Sequence, residues 1–379
     1  MTPAARRADE NGISRQFVAL PSPVVGRAGA GGHPCQGIFH TPSNQPNPTT
    51  AFIATHYNVD FSEHYLADYL AARGFGFLGW NTRFRGNEAY FLLDHALAEI
   101  AVGVQWLRDR GVERIVLLGN SGGGSLMAAY HSQSRTPSIR PARDRTVVAE
   151  ALSLPTTDAF VFLAAHPGRP EVLTDWMDAS VVDEADVTST DPDLDPFNPD
   201  NGPPYSPEFI ERYRSGQRAR NARITAWCHT ELDRLQALGL SDRLFTMSRT
   251  WADLRMIDGT IDPSKRNTPW CYGGEPKRAN SGVFGIGSLN TCRTWLNMWS
   301  LTDSDCGALP HLARLDVPTL LVQPDADNGV FPAQADEIFA GIAATDKEYV
   351  TLPGDHYFLE PASARDEVAD VVTEWTNAR

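Results

Sequence analysis

Between residues 50 and 166 short apolar runs alternate with longer amphipathic ones, and this alternation constrains the fold more than any other feature of the chain. "TAFIATHY" reads as a buried strand and "DFSEHYLADYLAARG" as a helix, with Asp60 and Glu63 at capping-box spacing and Gly74 at its end. "FGFLGWNTR" is the next strand. "LLDHALAEIAVGVQWLRDRG" has apolar residues at helical spacing and stops at Gly111. "RIVLLGNS" is a third strand, "GGGSLMAAYHSQ" a helix and "AFVFLAAH" a fourth strand. This rhythm builds parallel βαβ units, an α/β architecture with helices on both faces of one sheet.

The alternation lapses after "AFVFLAAH" and resumes at "VPTLLVQPDADNGVF", "PAQADEIFAGIAA", "KEYVTLPG" and "SARDEVADVVTEWTNA". A sheet interrupted after one strand and later resumed is one domain with an insertion. The expected division is core at 1–168, insertion at 169–311 and core again at 312–379. Ahead of the alternation, after a loose tail at 1–12, "SRQFVALPS" and "CQGIFHTPS" read as two short strands closed by Pro-Ser turns. They bring the mostly parallel sheet to eight strands.

Within the insertion, "VVDEADVTSTDPDLDPFNPDNGPPYSPEF" is acidic and proline-rich, hence a loop. Asp191, Asp193 and Asp195 start like a calcium loop, but proline at its sixth position and glycine at its twelfth break the pattern. Ser206-Pro207 then opens a long helix whose arginines (Arg212, Arg214, Arg218, Arg220, Arg223) read as a solvated face. Six of the nine tryptophans fall in the insertion: Trp176, Trp227, Trp251, Trp270, Trp295 and Trp299. That is the composition of a lid over an apolar pocket, or of a small domain short of core.

A net charge of −14 argues against nucleic acid or an anionic membrane as the main partner, since both call for clustered basic residues. No stretch approaches the apolar length of a membrane span, and the amino terminus lacks the apolar core of a signal peptide. The five cysteines are widely spread with no C-x-x-C pair, which suits reduced, mostly buried thiols in a cytoplasmic protein.

The chemistry concentrates at strand ends. "GNSGG", Gly119 to Gly123, follows an apolar strand and opens a helix, so Ser121 is placed on a sharp turn beside a positive helix end. A serine nucleophile needs a histidine to take its proton and an acid to orient that histidine. His356 in "TLPGDHYFLEP" follows the last strand, and "PTLLVQPDADNGVFP" supplies Asp325 and Asp327 at the end of the strand before it. At "WNTRFRGNEAYF", Arg83, Arg85 and Asn87 reach a strand end; salt bridges in the core are the first reading for the arginines, anchoring of a substrate carboxylate the second.

Serine, acid and histidine in that order, each at the carboxyl end of a strand, resemble the α/β-hydrolase fold superfamily of serine hydrolases and carboxylesterases. The insertion matches no lid of a known subfamily. The resemblance implies Ser121, Asp327 and His356 as the triad, with Asp325 as the alternative acid because the strand-end pattern is irregular. It further implies an oxyanion hole from the backbone N–H of Gly122 and of Tyr57, or of Asn58 if the loop "THYNVD" sits one residue over. His56, Asn58, Trp227, Trp251, Trp295 and Trp299 are candidate substrate contacts. The expected function is hydrolysis of a carboxylic ester of a fairly bulky apolar or aromatic small molecule, with no cofactor or metal; a homo-oligomer is open. Thioesters, lactones, amides and C–C bonds are alternatives within the same chemistry. A ligand-binding protein, or a cofactor-independent lyase or isomerase, is the alternative outside it.

Overall fold

In a computed structural model, residues 7–8, 12–24 and 32–379 are described. Strands β1 (Arg7–Ala8), β2 (Ile13–Leu20), β3 (Cys35–Pro42), β4 (Thr50–Ala54), β5 (Gly76–Asn81), β6 (Arg114–Asn120) and β7 (Ala159–Leu163) come first. Then β8 (Leu244–Thr246) and β9 (Leu289–Thr291) pair only with each other, and β10 (Thr319–Pro324) and β11 (Lys347–Leu352) return to the main sheet. The nine-stranded order is β1-β2-β3-β5-β4-β6-β7-β10-β11. From β5 to β11 all neighbours run parallel, while β1, β2 and β3 add antiparallel at one edge. The eight strands expected from sequence are present. The ninth, β1, belongs to the segment 1–12 expected as a loose tail, most of which lies outside the described residues.

Alternation along the strands explains why one sheet carries two cores. Ile53, Leu78, Trp80, Leu117, Phe160 and Phe162 point to one face, where they meet Leu97, Ile100 and Val104 of α2 (Leu93–Asp109) and Leu126 and Met127 of α3 (Gly123–Arg135). Phe52, Phe77, Val116, Leu118 and Val161 point to the other, against Leu70 of α1 (Ala67–Ala72) and Val368 and Val372 of the last helix, Ala364–Asn377. With both faces covered, β4 to β7 are buried almost end to end, which is why they read as continuous apolar runs.

The helix expected over 60–74 is α1 alone; residues 60–66 are turns. Asp60 does not cap it. Its carboxylate takes the Ser62 N–H at 2.8 Å and the Asn81 amide at 2.9 Å, which ties the turn to the end of β5 instead.

Between β7 and β10 run α4 (Arg169–Trp176), α5 (Pro207–Ala237), the β8–β9 ribbon and a π-helical turn at Trp295–Trp299. Ser206 caps α5 by accepting the Phe209 N–H at 3.2 Å, as its sequence announces. The solvated arginine face expected on α5 is only partly so. Arg220 is buried on Glu184 at 2.7 Å, and Arg214 reaches buried Asp253 at 2.8 Å. The helix is packed against α4 and the Trp295–Trp299 turn, so that face has little water to meet. Asp191 and Asp195 accept N–H groups of their own loop, at 2.9 Å each. All five cysteines are buried and unpaired. No helix among the described residues is long and apolar enough to cross a membrane.

Candidate active site

Ser121 sits between β6 and α3 with φ of +55°, in the left-handed region that costs a non-glycine residue about 1 kcal/mol or more. The glycines around it make that turn possible by close approach rather than by flexibility. A Cβ on Gly124 would stand 2.6 Å from Ala165 Cβ, one on Gly123 2.4 Å from Thr55 O, and one on Gly122 2.7 Å from His56 Nε2. The Ser121 N–H bonds Leu163 O at 3.1 Å, which pins the turn to the end of β7. Gly122 is the N-cap of α3, where N–H groups have no partner within the helix.

Asp327 and His356 are brought together by the parallel pairing of β10 and β11, which continues past the strand ends. Asp325 N–H bonds Leu352 O and Ala326 N–H bonds Gly354 O, both at 2.9 Å. Nδ1 of His356 then lies 2.7 Å from Oδ2 of Asp327, with the two residues 4% and 1% exposed. The other oxygen, Oδ1, accepts from Gly329 N–H (2.8 Å), Val330 N–H (3.0 Å) and the Tyr272 hydroxyl (2.9 Å). The carboxylate is thus fully bonded and cannot swing away. Asp325 is engaged elsewhere, with Lys265 at 2.7 Å and Gly354 N–H at 3.3 Å.

A cavity of ≈ 430 Å³ opens over this face, lined among others by Ser121, His356, His56, Asn58, Arg169 and Trp251. His56 Nδ1 faces the N–H groups of Asn58 (3.4 Å) and Val59 (3.3 Å), which assigns its proton to Nε2. Burial, followed by Arg169, holds His56 well below the usual histidine range, and it is neutral. The Tyr57 side chain turns into the core, its hydroxyl on Ser125 Oγ (3.0 Å) and Cys306 O (3.3 Å). The Asn58 side chain bridges Glu88 and Arg169, at 2.8 and 3.0 Å.

The tryptophans divide. Trp251 lines the cavity and stacks with Trp176 at 5.1 Å, but Trp227 is 38% exposed in a separate depression with Phe245 and Arg243. Trp295 is core, its Nε1 bonded to Thr225 Oγ1 at 3.0 Å, and Trp299 lies behind Arg169. The expectation of cavity contacts from Trp227, Trp295 and Trp299 is corrected accordingly: two are inside packed helices and one is on another surface. Arg83 pairs with buried Glu99 at 2.5 Å, and Arg85 with exposed Asp60 at 3.2 Å; neither lines the cavity, whereas Asn87 does. Sequence reasoning missed His166, Arg169, Trp176 and Tyr272. Only Trp176 had a signal, its place among the clustered tryptophans.

No family model and no curated protein matches the chain. Solved structures align along nearly its whole length. The complex of DcsB with its substrate analogue covers 96% of this chain and 99% of its own at 14% identity, with a TM-score of 0.51. The esterase domain of a Rhodothermus marinus protein covers 96% and 98% at 12% identity and 0.48, and Est1E of Butyrivibrio proteoclasticus with ferulic acid bound covers 99% and 98% at 12% and 0.47. The strand order, the elbow between β6 and α3 and the partners at the ends of β10 and β11 define the α/β-hydrolase fold.

Proposed function

We propose that the protein is a serine hydrolase that cleaves a carboxylic ester through an acyl-enzyme on Ser121. The observation that carries this is the Asp327–His356 pair opening on the same cavity as a serine held at positive φ. With its Nδ1–H on Asp327, His356 keeps the Nε2 lone pair to take the Ser121 proton. The serine oxygen attacks the carbonyl carbon, and the carbonyl oxygen becomes an oxyanion facing the N–H groups of Gly122 and Tyr57. Asn58 is the weaker candidate for the second donor, because its N–H is turned to His56 Nδ1. Each such donor contributes roughly 3 kcal/mol to the transition state. Collapse expels the alcohol, which takes the proton back from His356. Water activated by His356 then releases the acid and frees Ser121.

Residues 169–311 act as a cap in this account, since Trp176, Trp251, Tyr272 and Phe284 wall the cavity. Those rings favour a bulky apolar or aromatic group on the ester. The test is turnover of nitrophenyl esters of acetic acid and of an arylpropionic acid by the wild type and by Ser121→Ala. Hydrolysis that favours the aryl ester and falls to background in the variant supports the reading. Undiminished turnover in the variant contradicts it.

A further inference from the structure

A guanidinium taken out of water loses several kcal/mol of solvation, which an opposite charge in direct contact offsets. Other buried arginines find such a charge or a full set of acceptors: Arg83 sits on Glu99, Arg220 on Glu184 and Arg255 on Asp253, and Arg266 donates Nε, Nη1 and Nη2 to backbone carbonyls. Arg169 does not. It is 4% exposed, and among the described residues its side chain makes one hydrogen bond, from Nη2 to the neutral amide oxygen of Asn58. Its Nε has no partner. Aromatic faces hold the group in place instead, with Cζ 4.8 Å from the Tyr57 ring centre and 5.3 Å from that of Trp299.

The nearest compensation is one amide away. Glu88 accepts from Asn58 Nδ2 at 2.8 Å and from Gly287 N–H at 3.0 Å, so its charge reaches Arg169 through Asn58. Burial nonetheless raises the Glu88 carboxyl above its ordinary value, a sign that the compensation is incomplete. The guanidinium lines the cavity with Ser121 and His356, and Cζ is 3.3 Å from where a Cβ on Gly122 would stand. His166 also faces this spot, its Nδ1 unpartnered; burial and then Arg169 hold it well below the usual histidine range, so it adds no charge.

We propose that Arg169 anchors an anionic substrate, an ester whose acyl part carries an ionised carboxylate, so that the charge pair completed on binding selects dicarboxylic monoesters. This rests on the hydrolase reading, in which the Gly122 N–H meets the carbonyl oxygen and a group beside Gly122 is therefore a neighbour of the acyl chain. The planar fork of arginine suits a carboxylate through parallel N–H bonds. Glu88, one amide away, opposes an incoming anion.

The matched probes are mono-4-nitrophenyl adipate and its methyl-capped diester, which differ only in the free carboxylate. In the wild type kcat/KM favours the carboxylate by about tenfold to hundredfold, the range of one charge-assisted bond. Arg169→Gln collapses that ratio towards one, Arg169→Lys restores part of it, and Glu88→Gln raises it. No preference in the wild type, or a preference that survives in Arg169→Gln, overturns the proposal. Glu88→Gln reads the same effect if Arg169→Gln does not fold; an unchanged or lower ratio there overturns it too. If neither ester is turned over, the hydrolase reading fails separately, and calorimetric titration with adipate decides the anion site: binding lost on esterification of adipate supports it, and no binding overturns it.

Discussion

Two regions meet at the cavity, and they are held by different forces. The strand-end side, with Ser121, Asp327 and His356, is positioned by backbone: the Ser121 N–H on Leu163, the zipped ends of β10 and β11, and two loop N–H groups on Asp327. The side contributed between β7 and β10, with Arg169, Trp176, Trp251 and Tyr272, is positioned by side chains on side chains: stacked rings, buried ion pairs and the Tyr272 hydroxyl on Asp327. Backbone geometry can be read from periodicity, because strand ends recur wherever strands do. Side-chain packing follows no period.

The largest effect expected of this contrast falls on the backbone-set side. Asp327→Asn lowers kcat by about 10⁴-fold, since the amide presents the wrong group to His356 and fixes the wrong tautomer. Asp325→Asn, which loses the Lys265 contact and one loop bond, changes kcat by less than about tenfold. Steady-state kinetics on the two variants checks the asymmetry; equal losses would break it.

On the side-chain-set side the expected cost falls on stability. Asp253 is fully buried between Arg214 and Arg255. Burial alone would raise its carboxyl, but the two guanidinium groups outweigh that and hold it well below the usual range. Asp253→Asn leaves two partly uncompensated cations and destabilises by about 3–5 kcal/mol in denaturant unfolding at neutral pH. A depressed carboxyl contributes its stability above its unfolded pKa and loses it as pH falls through the folded value. The gap between variant and wild type is therefore full at neutral pH and closes only in strong acid. A gap that closes near pH 6 would mean that another group carries it.

A smaller effect than either Asp327→Asn or Asp253→Asn belongs to Tyr272, which spans both regions. Tyr272→Phe removes one of four bonds to Asp327 and lowers kcat by about tenfold without unfolding, as thermal melts run alongside would show. No change in kcat would mean that the backbone alone fixes the acid.

This division also explains what was legible in the sequence. The eight strands and α2 were readable from their hydrophobic period, α3 and the last helix from their places in the strand–helix alternation, and α5 from Ser206, which caps it. Ser121 and His356 stood out by their places after strands; place alone left Asp325 and Asp327 open, and the resemblance favoured Asp327. The Asp60 capping box misled, because that pattern lost to a local turn bond with Ser62 and a tertiary bond with Asn81. Arg169 and Tyr272 gave no signal. The first follows a glycine after β7 and the second lies in an irregular stretch, and what distinguishes them is a partner missing in one case and an Asp327 oxygen met in the other.

The measurement that most directly tests the central claim, an activated serine on a strand-end turn, needs no knowledge of the substrate. Intact mass after treatment with a fluorophosphonate should show one stoichiometric adduct that disappears in Ser121→Ala. Folded wild-type protein that stays unlabelled, or an adduct that persists in the variant, would contradict the account.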